Sequence, residues 1–99
     1  MPETIYENAE ETMNARNILC DAGYEEAVLF ECPDYDSAII GVSEDGRAVY
    51  DYEKMVQQLQ EDEVISREEA IDFIEYNTIR GMDYIKNPPI IIHRLEDLQ

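Results

Sequence analysis

Ninety-nine residues suffice for one domain with its own core, and an apolar content of 44% is too high for a chain that fails to collapse. Twenty-four Asp and Glu against seven Lys and Arg give a net charge of -17, a field that repels phosphate backbones and anionic lipid and draws in cations or basic proteins. Direct nucleic-acid binding is therefore not expected, and neither is a membrane role, since no run approaches the roughly 18 apolar residues of a span.

At the start of the chain, "TIYE" (Thr4–Glu7) has the pattern of a capping box, in which a hydroxyl and a carboxylate three residues later satisfy free amides. It predicts a helix from about Ile5 to Cys20, ended by Gly23. The opening residues lack the basic end and apolar stretch of a secretory leader. With two cysteines, Cys20 and Cys32, in no CxxC or framework spacing, a cytoplasmic location with reduced thiols is expected.

Three strands are predicted next. "AVLFEC" (Ala27–Cys32) is rich in strand formers and stops at Pro33, and "SAIIGV" (Ser37–Val42) and "RAVY" (Arg47–Tyr50) flank "SEDG". Asp45-Gly46 supplies the positive φ that a hairpin needs. Asp51 is placed to cap a second helix whose Tyr52, Met55, Val56 and Leu59 recur on one face. Ser66 and Glu69 form another capping box, opening a third helix with Ala70, Phe73, Ile74 and Asn77 along its stripe. Arg80 is expected in the last turn, offsetting the negative helix end, with Gly81 leaving it in the left-handed conformation. "PPIIIH" (Pro88–His93) reads as a fourth strand, placed at an edge by its prolines. The expected fold is a single α+β domain over residues 1–99: a small antiparallel sheet of three to four strands with three helices, in the order α-β-β-β-α-α-β.

Residues 1–30, 31–53 and 61–76 each carry seven acids and one arginine, whereas residues 77–99 are neutral. Crowded carboxylates are expected to repel, which raises their folded pKa values and lowers stability as pH rises. Chemistry-bearing patterns are sparse. The one histidine, His93, has no nucleophile at a telling spacing, and the four glycines form no phosphate loop. "DYD" at Asp34–Asp36 starts like a calcium loop, but Ile39 stands where glycine is required. No catalytic set, metal site or cofactor is read. Tyr24, Glu25 and Glu26, then Asp34, Tyr35 and Asp36, then Glu61, Asp62 and Glu63 are the candidate partner-binding residues, because tyrosine beside acids suits a protein interface.

The runs "GVSEDGRAVYDYEKMVQQL" and "EEAIDFIEYNTIRGMDYI", with the "PPIII" that follows, resemble a family of short acidic hypothetical proteins of bacterial and phage genomes. The likeness spans about residues 24–93 and implies a shared fold without implying an activity. Phage company adds weight to an inhibitor reading. The expected function is a small acidic protein-binding module, of phage or prophage type, that mimics nucleic-acid charge and binds a basic, nucleic-acid-binding host protein. The alternatives are a non-inhibitory homo-oligomeric protein, such as a homodimer, or an adaptor whose acidic surface only aids solubility, and a small enzyme using paired carboxylates.

Overall fold

The computed structural model describes residues 15–31 and 33–99. In chain order it contains helix α1 (Ala15–Asp21), a 3-10 turn (Asp36–Ala38), strands β1 (Ile39–Val42) and β2 (Ala48–Asp51), and helices α2 (Tyr52–Glu63) and α3 (Arg67–Phe73). A π-helical turn (Ile74–Ile79), a 3-10 turn (Arg80–Tyr84), strand β3 (Ile90–Ile92) and a last 3-10 turn (Leu95–Leu98) follow. The described residues form a small α+β fold of three helices and three strands, as expected. The Thr4–Glu7 capping box and the first turns of the predicted N-terminal helix lie outside the described residues.

Several local signals act as read. Gly23, at φ 96, ends α1; its amide reaches the Cys20 carbonyl and the Tyr24 amide reaches that of Leu19, the paired bonds of a Schellman exit. In the hairpin, the Gly46 amide bonds the Ser43 carbonyl and Gly46 takes φ 86, a type I turn followed by a left-handed glycine. Ser66 and Glu69 exchange both bonds of their capping box. Asp51 accepts the Glu53 amide and so caps α2.

The sheet differs from expectation in two ways. Its order is β1-β2-β3; β2 runs antiparallel to β1 but parallel to β3, pairing Val49 with Ile90 and Asp51 with Ile92. The chain leaves β2 into two helices before returning, and a long helical crossover brings a strand back in the same direction. The sheet is therefore mixed rather than antiparallel, with β3 at the edge where its prolines placed it. In addition, residues 27–31 form no strand. The Phe30 amide donates to the Tyr50 hydroxyl at 3.0 Å, and the Phe30 carbonyl accepts from Arg16 at 2.9 Å. With its amide served by a side chain, Phe30 has no donor left to offer a ladder.

The core joins Leu19, Phe30, Tyr35, Ala38, Ala48, Tyr50 and Tyr52 to the α2 stripe of Met55, Val56 and Leu59 and to Ala70 and Ile74. Phe30 packs at 4.7 Å on the Tyr50 ring and meets Tyr35 edge-on at 5.9 Å. On α3 the predicted stripe holds for Ala70 and Ile74, but Phe73 and Asn77 are exposed. The π-helical turn inserts a residue into the helical register, so Thr78 and Ile79 turn inward in place of Asn77. Asn77 donates instead to the Phe73 carbonyl of its own helix, at 3.3 Å. Gly81 does not close the helix. The helical run continues to Tyr84, and Arg80 lies 5.2 Å over the Tyr76 ring.

Candidate functional site

The predicted partner-binding residues divide between two groups. Tyr24, Glu25 and Glu26 join the β1–β2 turn, where they line a cavity of about 460 Å³ with Asp45, Gly46, Arg47 and Asn87. Arg47 is committed there: its guanidinium pairs with Asp45 at 3.1 Å and reaches the Pro88 carbonyl at 3.4 Å. The Ser43 hydroxyl, aided by that guanidinium, holds the Asp45 carboxyl below the usual carboxylate range.

Asp34 belongs to the second group, beside α2. Its Oδ1 accepts the Asp36 amide at 3.0 Å and the Gln58 side-chain amide at 3.4 Å. The same Gln58 nitrogen donates to Asp62 at 3.4 Å, so a residue on the second turn of α2 draws Asp34 and Asp62 together. Glu61 and Glu63 flank Asp62 in the last turn. Tyr35 is a correction: it is fully buried rather than on the surface, with its hydroxyl 3.1 Å from Thr78 Oγ1. Burial pushes that phenol up, so it stays neutral. Asp36 faces inward as well, bonded by Arg16 at 2.7 Å; the same arginine reaches Glu31 at 3.2 Å. These bonds hold the Arg16 guanidinium firmly protonated.

The corner between α2 and α3 combines three features that local physics disfavours. Glu61, Asp62 and Glu63 fill the last turn of α2, which holds no base. Negative charge at the negative end of a helix costs about 0.3–1 kcal/mol per residue when exposed. Val64 then closes the helix at φ 54, ψ 55, and a branched side chain in that left-handed region costs about 1–2 kcal/mol. Val64 is also 87% exposed. Arg67, the one base of the 61–76 segment, turns back along α2 and grips both oxygens of Glu53 at 2.7 and 2.8 Å. That grip lowers the Glu53 carboxyl and leaves the corner acids without a neutralising partner in their own segment. The resolved carboxylate shifts among the described residues, on Asp45 and Glu53, are thus downward and set by donors, whereas crowding was expected to drive them up.

Beside the acids lies an apolar groove that the sequence reading did not find. Pro33, Leu59, Glu63, Ile65 and Phe73 line about 520 Å³. Its one legible sign was Phe73, a large apolar residue followed by a helical register that fails at Asn77. No protein-family model, curated protein or solved structure matches this chain.

Proposed function

We propose that the chain is a protein-binding module whose α2–α3 corner receives a basic surface, in particular the phosphate-binding face of a nucleic-acid-binding protein. The observation that carries the reading is the last turn of α2, which holds no base, so that Glu61, Asp62 and Glu63 oppose the helix dipole while Arg67 is spent on Glu53. A surface needed only for solubility has no reason to put its charge where it weakens a helix; one that must present charge to a partner accepts that loss. Asp34, drawn in by Gln58, extends the same acidic face.

Catalysis by paired carboxylates has less support. It needs two convergent buried acids, and among the described residues the fully buried one is Asp51. Its oxygens are occupied by the Glu53 amide and by Arg94 at 2.6 Å. The test is competition: purified basic DNA-binding proteins held on labelled duplex DNA are titrated with the chain at low and high salt. DNA release that weakens steeply with salt, and is lost in the combined Glu61→Gln, Asp62→Asn, Glu63→Gln variant, is the expected result. Retention of DNA by every protein of the set at excess chain would refute the reading.

A further inference from the structure

We infer that the groove between Pro33, Leu59, Ile65 and Phe73 is the anchoring pocket of a docking site for a basic amphipathic segment. Large apolar side chains of that segment seat in the groove while its Lys and Arg meet the acids around it. The inference rests on the proposed function and adds to it the class of partner sequence.

The groove is apolar at its floor and acidic at its margin. Glu63 is one of its lining residues, Asp34 directly follows Pro33, and Gln58 ties Asp34 to Asp62. Glu69 stands one helical turn before Phe73 on the same face of α3. Phe73 leaves 37% of its surface in water, and Val64, between lining residues Glu63 and Ile65, is more exposed still. Strain and exposure therefore coincide at one corner, and strained exposed residues gather where function holds them. An apolar floor with a charged margin is the helix-in-groove mode of recognition, in which apolar anchors recur at helical spacing.

Charge selects the occupant. A second copy brings its own -17 against an acidic margin and is repelled. Residues 1–14 carry four acids and no Lys or Arg, so they too have the wrong sign. A segment with Lys or Arg around large apolar residues satisfies both floor and margin.

The test uses two synthetic peptides of equal positive charge, measured by fluorescence anisotropy on the full chain at low salt. One sets Leu at helical spacing among Lys residues; the other replaces each Leu by Gln. Wild type should prefer the Leu peptide. Phe73→Gln, which alters no charge, should weaken that peptide about tenfold and leave the Gln peptide unchanged. Phe73→Leu should restore the preference, which separates loss of the anchor from loss of the fold. Asp62→Asn with Glu63→Gln should weaken both peptides, and Glu25→Gln with Glu26→Gln neither. If Phe73→Gln binds the Leu peptide as wild type does while the margin variant loses both, the groove inference fails and the charge reading stands. If wild type binds neither peptide, the charge reading fails as well. Sedimentation of wild type as a dimer that Phe73→Gln dissociates would put a second copy in the groove and overturn the inference.

Discussion

The two ends of helix α2 are built on opposite terms. At its start, Asp51 is buried, caps the Glu53 amide and pairs with Arg94, while Tyr52 donates to Glu75 at 2.9 Å and stacks 4.4 Å from His93. Carboxylate, dipole, cap and packing agree there. At its end, acids oppose the dipole, a valine takes a glycine's conformation, and an apolar groove stays open. One helix thus shows what stabilises the fold at one terminus and what the fold tolerates at the other. The lesson is that carboxylate count does not separate structural from functional acids; their agreement with the backbone does.

Four measurements sharpen or break that contrast. The largest effect belongs to Asp51→Ala, which removes the cap of α2 and the buried carboxylate that Arg94 bonds. It should cost about 2 kcal/mol through the lost cap, read from the urea midpoint; a cost no greater than that of Glu61→Ala would erase the distinction between the ends. Alkali comes next. Burial pushes Tyr50 and Tyr52 up to about 12, with Glu75 assisting for Tyr52, while an unfolded tyrosine ionises near 10. The stability these phenols supply is complete below pH ~10 and lost as pH rises through ~12. Unfolding followed by circular dichroism should therefore coincide with tyrosinate absorbance, whereas early ionisation without unfolding contradicts the buried pair.

Third, Val64→Gly should raise stability by about 1 kcal/mol as strain is relieved; a loss instead would mean that the valine packs in a way its exposure denies. The smallest change is that of Glu53, whose carboxyl the Arg67 guanidinium lowers. Its contribution is present above the unfolded value of ~4.3 and fades as pH falls below it. Arg67→Gln should flatten that acid limb by a few tenths of a kcal/mol, and an unaltered limb would assign it to other groups.

What the sequence disclosed was whatever a few neighbouring residues decide. Gly23, Asp45-Gly46, the Asp51 cap and the Ser66–Glu69 pair each rest on turn or capping hydrogen bonds that close within about five residues, so their spelling sufficed. The strand predicted at Ala27–Cys32 is not formed over residues 27–31, because Phe30's partners, Tyr50 and Arg16, lie 20 and 14 positions away. Tyr35 looked like a surface residue among acids, yet Thr78, 43 positions on, shares a hydrogen bond with its hydroxyl. The parallel β3 and the shift at Ile74–Ile79 likewise depend on how remote elements pack. At the candidate site, Asp34, Asp62 and Glu63 were visible as charges. Their convergence was hidden, because it depends on the amide of Gln58 and on Pro33 and Phe73 meeting across the corner.

Arg16 reaches Asp36, Glu31 and the Phe30 carbonyl at once, so a single guanidinium rivets α1 to the loop that covers the sheet. The three bonds leave from three nitrogens of that one group. A change at this one side chain would sever all three links in a single step, leaving the burial of Leu19 to keep the first helix against the core.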